Sequence, residues 1–382
     1  MRLAGRVISL AAGSFMLQDD SGWAQIVAES VPPLGAIVQV EGVRSGDRVE
    51  QAQVTVENRG SDRFTRADSD YSYLSGKRLA NLRKRHCALR AVREFFDDQG
   101  FLELETPAIV PCPGLDVHLD AIEVLGMGGP PRWLHTSPEY QMKRALATTL
   151  PGVYQLGKAF RRGERGRLHE PEFTMLEWYR TFEDAERMMS DTETLVAHVA
   201  TRVTGGTQLP GVTRPVDVAA PWERLSVADA LQRYAGVALE NIVNDEERFY
   251  RILVDKIEPE LGRGKPTFLT DYPARFASLA RLSKADPRFS ERFEAYVDGV
   301  ELCNGFSELV DPQEQRKRLE HDQETREKLG WTVYPIDSRF MAALEDGLPP
   351  SGGNALGFDR MVMAIVGAAH IDEVLAFPVS RV

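Results

Sequence analysis

The residues most able to do chemistry cluster in one stretch, Phe160 to Arg180, which reads FRRGERGRLHEPEFTMLEWYR. Arg161 closes an apolar, β-prone run from Val153 to Phe160, a charge-dense loop follows, and Glu172 to Arg180 interleaves apolar with polar residues. That is the pattern of two antiparallel strands joined by a long loop. Strand side chains alternate, so Phe173, Glu177 and Tyr179 share one face while Leu176 and Trp178 lie on the other. Arg161 and His169 then bracket the loop, with an aromatic ring and a carboxylate on the sheet behind them. Such a set suits a triphosphate, a stacked base and a substrate amine. A hairpin with a solvated loop is the plainer reading.

Three further stretches narrow the choice. In SGGNALGFDRMVMAIVG, Ser351 to Gly367, small residues permit close backbone approach before a helix that starts with Arg360 in its first turn. A cation at the positive end of a helix is misplaced by roughly 0.3–1 kcal/mol unless an anion sits nearby. In RFEAYVDGVELCNGFSEL, Arg292 to Leu309, Asp298-Gly299 predicts a two-residue hairpin turn. Val297 then pairs with Val300, Tyr296 with Glu301 and Glu294 with Cys303. Glu294 and Glu301 share a face at about 7–8 Å on the diagonal. Two such carboxylates repel unless a cation joins them, and Mg²⁺ is the obvious bridge to phosphates; surface acids are the alternative. In WLHTSPEYQMKR, Trp133 to Arg144, a strand passes into a helix with Thr136 or Ser137 as cap and Pro138 in the first turn. Glu139 sits near that helix start, where the dipole favours a carboxylate in any case.

Phe160–Arg180 and Ser351–Gly367 together resemble motifs 2 and 3 of the class II aminoacyl-tRNA synthetases. Within that superfamily the match is to the lysine branch, and most closely to truncated lysyl-tRNA synthetase paralogues that ligate β-lysine to elongation factor P. The resemblance runs from about Tyr73 to the C-terminus, and FLELETP, Phe101 to Pro107, resembles the dimer-forming motif 1. It implies an α+β fold: a class II catalytic domain, an antiparallel sheet flanked by helices, preceded by a small all-β OB-like barrel. It also implies a ligase that activates lysine or β-lysine with ATP and Mg²⁺, works as a homodimer, and passes the acyl group to elongation factor P. Transfer to tRNA by a lysyl-tRNA synthetase and a catalytically silent paralogue are the alternatives.

The resemblance also implies roles. Arg161 clamps the α-phosphate and the substrate carboxylate, since a guanidinium bridges two anions with fixed geometry. Arg360 and His169 serve the outer phosphates, Phe173 and Arg360 sandwich adenine, and Glu294 with Glu301 hold Mg²⁺. Ser137, Glu139, Glu177, Tyr179, Asn304, Phe306 and Glu308 form the amino-acid pocket, with Ala355 on its floor. Two positions depart from the family pattern. Gly163 stands where motif 2 has a glutamate, leaving Glu164 to reach adenine, and Glu170 stands where asparagine is usual.

Composition sets the bounds. A hydrophobic fraction of 43% and a charged fraction of 27% over 382 residues describe an ordinary globular chain. A net charge of −11 leaves no global basic field to draw in nucleic acid, although local patches remain compatible with RNA contact. Cys87, Cys112 and Cys303 are dispersed with no CxxC, which points to a reduced cytoplasm without structural zinc. No apolar run approaches the roughly 18 residues of a membrane span. At the N-terminus Arg6 interrupts the apolar residues, and Gly13 with Asp19-Asp20-Ser21-Gly22 reads as strand and turn, so no leader is expected.

The elements that must position these residues follow in order. Residues 1–60 fit four or five short strands: Leu3–Leu10, Phe15–Gln18, Trp23–Ala28, Ile37–Val43 and Val49–Val56. Only SVPPLG separates the third from the fourth. This barrel carries five Arg, no Lys and seven Asp or Glu, and its only aromatics are Phe15 and Trp23. Single-strand readers use a positive groove with stacking rings, so a vestigial or protein-facing module is expected. Residues 61–75 read as a linker and 76–382 as the catalytic domain. A helix with Ser75 as its N-cap, apolar at Leu79, Leu82, Leu89, Val92 and Phe96, stops at Gly100. Its Arg83-Lys84-Arg85 run reads as a solvated face. Amphipathic helices fill Glu183–Thr204 and Val227–Leu261, with Met188, Met189 and Leu195 as core; a charged helix spans Asp311–Trp331.

Overall fold

The computed structural model describes every residue except Asp20, Ser21 and Ala67, so the centre of the expected turn at Asp19–Gly22 lies outside the described residues. The chain divides into two compact units, Met1–Ala80 and Asn81–Val382.

In the first unit, β1 (Arg2–Ala11), β2 (Ser14–Asp19), β3 (Gly22–Val27), β4 (Ile37–Ser45) and β5 (Arg48–Asn58) close a barrel in the order β1-β2-β3-β5-β4. Their alternating inward residues, among them Val7, Phe15, Leu17, Ile26, Val38 and Val49, make a separate core. No helix intervenes between β3 and β4, as the short SVPPLG segment requires. Residues 61–75 are more ordered than a linker: a 3₁₀ turn at Asp62–Thr65 precedes helix α1 (Asp70–Leu74). Ser75 directly precedes α2 (Gly76–Asp97), its hydroxyl donates back to Ser72 O at 2.9 Å, and the helix begins at Gly76 with φ +60°.

The second unit is built on one sheet. Its short early strands are β6 (Leu102–Glu103), β7 (Ile109–Val110) and β8 (Trp133–Leu134), followed by α3 (Glu139–Ala145), β9 (Gly152–Phe160), β10 (Glu172–Thr181) and α4 (Ala185–Thr204). Then come the pair β11 (Gln208–Leu209) and β12 (Val216–Asp217), β13 (Glu223–Ser226), α5 (Val227–Ala230), α6 (Glu246–Ile252) and β14 (Thr267–Pro273). β15 (Phe289–Val297), β16 (Val300–Ser307), α7 (Pro312–Lys328), α8 (Ser338–Gly347), β17 (Ser351–Gly357) and α9 (Phe358–Val366) complete it. Eight strands line up as β13-β14-β15-β16-β17-β10-β9-β6. Every neighbouring pair is antiparallel except the edge pairs β13 with β14 and β6 with β9. This is the α+β architecture expected. The motif 1 strand is shorter than expected, because past Glu103 the chain bonds β9 only through Leu104 N to Tyr154 O and Thr106 N to the Gln155 side chain.

Alternation decides which side chains reach which face. On β10, Leu176 and Trp178 pack into the main core with Met188 and Val196 of α4 and Phe358 and Val362 of α9. Glu177 and Tyr179 face the other way, into a cavity. The hairpin turn forms with φ +51° at Asp298 and +74° at Gly299, the left-handed pair that an Asp-Gly turn needs. Val297 pairs with Val300 and Tyr296 with Glu301, but a bulge between Ala295 and Tyr296 moves Glu294 opposite Asn304 and not Cys303. The extra residue is Leu302 of β16, so Asn304 and Glu301, three positions apart, pair with Glu294 and Tyr296 on one face.

Candidate active site

A cavity of about 960 Å³ opens on that face of the sheet. Its floor is made by Glu177 and Tyr179 of β10, Asn304 and Phe306 of β16, and Gly353 and Ala355 of β17. Ser137 and Glu139 from the start of α3, Glu308 just beyond β16, and Arg161 at the end of β9 stand around it. The structure thus brings together all eight expected amino-acid residues and Arg161. Ala355 lies between Glu177 and Asn304, its partners on the two neighbouring strands. Glycine is required at 353, because a Cβ there would run into Glu308 Oε1 and the Tyr179 ring.

The floor is acidic and short of counter-charge. Ser137 Oγ donates to Glu177 Oε1 at 2.5 Å and the Tyr179 hydroxyl donates to Glu177 Oε2 at 2.9 Å. Burial first, and then the charge of Glu139, push the Glu177 carboxyl up to about 7 against those two hydrogen bonds. Glu308 is driven to about 8 by burial, which Lys143 opposes and Glu139 and Glu177 reinforce. The N-cap of α3 is Pro138 and not the expected Thr136 or Ser137; the Ser137 hydroxyl accepts from Glu139 N at 3.1 Å while donating to Glu177.

The expected nucleotide residues form a second, adjacent group. The Arg161 guanidinium stands 5.0 Å from the centroid of the Phe173 ring and 3.7 Å from Glu164. It is therefore Arg161, and not Arg360, that covers Phe173 in this state. Arg360 Nη2 lies 2.6 Å from His169 Nε2, and Nη1 donates to Glu301 O at 3.0 Å and Oε2 at 3.3 Å. An arginine only donates, so His169 Nε2 accepts and the ring carries its proton on Nδ1. Burial and the charge of Arg360 hold the imidazole below its ordinary range, which favours its neutral form beside that guanidinium.

The two acids expected to bind Mg²⁺ are not equivalent. Glu294 accepts four hydrogen bonds, from Arg292 and Asn304 on Oε1 and from the Tyr272 and Tyr296 hydroxyls on Oε2. A metal must displace one of these donors. Glu301 Oε2 faces Arg360, and Oε1 accepts no hydrogen bond among the described residues. Burial and the charge of Glu294 raise the Glu301 carboxyl above its ordinary range. Glu301 therefore fits direct coordination, and Glu294 fits a charge held close behind it.

Comparison with known proteins agrees with this arrangement. The family model described as tRNA synthetases class II (D, K and N) matches residues 65–381. The chain belongs to the class II tRNA synthetase family. Relatives named elongation factor P–(R)-β-lysine ligase are 42% identical over 329 residues in Proteus mirabilis and 42% over 316 in Yersinia enterocolitica. One from Hamiltonella defensa is 39% identical over 312 residues. Each comparison covers 79% of this chain and 96% of the relative. All the site residues discussed lie inside the residues matched to the synthetase family.

Several residues of this synthetase site escaped the sequence. Lys143, 2.5 Å from Glu139 and 2.6 Å from Glu308, was legible only through its i, i+4 spacing from Glu139. Asp359 is buried and accepts from Thr174 N at 2.7 Å while pairing with Arg85 at 2.5 Å, which fixes the start of α9 and so Arg360. Arg85 is thus no solvated residue, contrary to the reading of its basic run. Glu170, the departure in motif 2, is buried and accepts from Val379 N at 3.0 Å, tying down the C-terminal segment.

Proposed function

We propose that this chain activates lysine or β-lysine with ATP as an aminoacyl-adenylate and transfers it to a lysine side chain of elongation factor P. The observation that carries the reading is the cavity floor, where Glu139, Glu177 and Glu308 converge next to Arg161. Carboxylates suit the two ammonium groups of a diamino acid, and the guanidinium suits its carboxylate. The names of the relatives support the choice of acceptor.

In the first step a substrate carboxylate oxygen attacks the α-phosphorus of ATP, the bond to the bridging oxygen breaks, and pyrophosphate leaves. Positioning and charge neutralisation suffice for this chemistry. Arg161 turns from the Phe173 ring to bridge the carboxylate and the α-phosphate. Adenine then occupies the face of Phe173 beside Arg360, with Glu164 at its edge. His169 and Arg360 take the outer phosphates. Mg²⁺, held directly by Glu301 with Glu294 behind it, would neutralise phosphate charge. Asn304, anchored by donating to Glu294 at 3.0 Å, presents its amide to the amino acid, and Phe306 lines its apolar stem. In the second step the neutral acceptor amine attacks the acyl carbon and AMP departs.

Residues 76–382 form the catalytic domain, which acts as a homodimer in the cytoplasm; all three cysteines are free thiols. Among the described residues no helix is long and apolar enough to cross a membrane. Incubating the protein with ATP, β-lysine and elongation factor P should add one β-lysine mass to the acceptor. Charging of lysine tRNA with elongation factor P left unmodified would replace this reading with the tRNA synthetase.

A further inference from the structure

Lys143 projects from α3 with its side chain only 2% exposed, and its Nζ lies 2.5 Å from Glu139 Oε1 and 2.6 Å from Glu308 Oε2. The ring of Phe306 lies 5.1 Å away. Glu139 and Glu308 line the cavity and Lys143 does not, so the ammonium stands behind the two carboxylates that face the substrate. A buried ammonium is tolerated only when paired. Here burial works against the charge, and the two carboxylates outweigh it and hold Lys143 protonated.

The charged groups around it can be counted element by element. Helix α3 brings Glu139 and Lys143, while its other cation, Arg144, neither lines the cavity nor pairs with these carboxylates among the described residues; β10 brings Glu177 and Tyr179, and Glu308 follows β16. Helix α8, packed on α3, brings only the Phe340 ring at 5.9 Å. The charge on β9, Lys158, pairs with Glu172 instead. With every group ionised, three carboxylates against one ammonium leave the amine end of the cavity two charges short.

We propose that Lys143 is a resident counter-charge that sets this deficit at two and thereby selects amino acids carrying two ammonium groups. The proposal deepens the function proposed above and rests on it: the substrate's own carboxylate is met by Arg161, so a deficit of two is filled by a diamino acid. Without Lys143 the deficit is three. A diamino acid then leaves one carboxylate unmatched, which is relieved by taking up a proton, and Glu139 and Glu308 lose the cation that aims them. Lys143 is a positioning residue, acting through its two carboxylates.

The test is amino-acid-dependent ATP–pyrophosphate exchange by the full chain, measured from about pH 6 to 9 for the wild type, Lys143→Met and Lys143→Arg. Lys143→Met should raise KM for the diamino acid about tenfold or more at neutral pH and move the midpoint of its KM–pH profile up by about one unit. The rate at saturation should change little, and Lys143→Arg should keep the wild-type midpoint. An unchanged KM, or a KM raised equally at every pH with the midpoint in place, would overturn the proposal in favour of packing alone. Should Lys143→Met fail to fold, Lys143→Met/Glu139→Gln restores the deficit of two and should fold with a midpoint near the wild type's. A double variant that does not fold, or whose midpoint moves by a unit, also overturns it. Absence of exchange with any diamino acid in the wild type is a different result: it removes the function proposed above, and this inference with it.

Discussion

Glu177 and Glu308 carry protons that a bound cation must displace. Their carboxyls are pushed up to about 7 and about 8 by burial among other acids. A diamino acid binds their ionised forms, so its KM should climb as pH falls below 8, by up to about tenfold per unit for each proton displaced. Calorimetry in buffers of different ionisation enthalpy should record proton release on binding. The sign for stability is opposite. Above the ordinary carboxyl range the unfolded chain has released protons that the native state still holds, so the empty protein should lose stability as pH rises toward 8. A melting temperature independent of pH across that window would contradict the assigned burial. Arg161→Ala should abolish adenylate formation in a folded protein, since losing one donor to a developing charge costs about 3 kcal/mol or more. Ala355 lies between Glu177 and Asn304, and the proposed function sets the substrate α-carbon against its methyl, an arrangement that favours the α-CH₂ of β-lysine over an α-ammonium. An unpaired buried polar group costs on the order of 1–3 kcal/mol, so Ala355→Gly should increase use of α-lysine roughly ten- to hundred-fold, read as relative kcat/KM.

Elements built from alternation were legible before the structure, and contacts between distant elements were not. β9 and β10 fall where the period-2 pattern puts them, because one face of each enters the main core, Tyr154 of β9 stacking on Phe96 of α2 and β10 packing on α9. The bulge at Leu302 left no mark in VELCN, and it shifted Glu294 by one partner. Helix α7 shows the same limit. Its charged sequence suggests a helix solvated on one side without showing which residues turn inward; the Arg326 side chain is fully buried and clamps the loop that walls the cavity. It donates to Asp116 O at 3.1 Å, Val117 O at 2.6 Å and Leu119 O at 3.0 Å, and pairs with Asp120 at 2.6 Å. One arginine in a helix rich in them cannot be singled out without the partners that tertiary folding brings. Arg326→Met removes the clamp and strands those carbonyls. Thermal melts should show a loss of about 3–5 kcal/mol, the usual cost of breaking a buried charged network, and exchange assays a higher KM for the amino acid. A variant as stable as wild type would show that the loop orders itself.

At the scale of the whole molecule, the barrel and the catalytic unit are separable in their chemistry. Residues lining the cavity run from Cys112 to Ala355, within the second unit. The family match begins at residue 65. Removing residues 1–60 should therefore leave adenylate formation intact in a folded protein. A folded truncation unable to activate its amino acid would show that the barrel completes the site. The slight acidity of this barrel and its one exposed ring among residues 1–60, Trp23, contrast with the positive groove and several stacking rings of single-strand readers. The most direct measurement of the central claim is ATP–pyrophosphate exchange by the wild-type chain with β-lysine, α-lysine and a monoamino acid of equal length such as norleucine. Exchange with the diamino acids, strongest with β-lysine and absent with norleucine, is the predicted result; exchange with norleucine, or none with any lysine isomer, would contradict it.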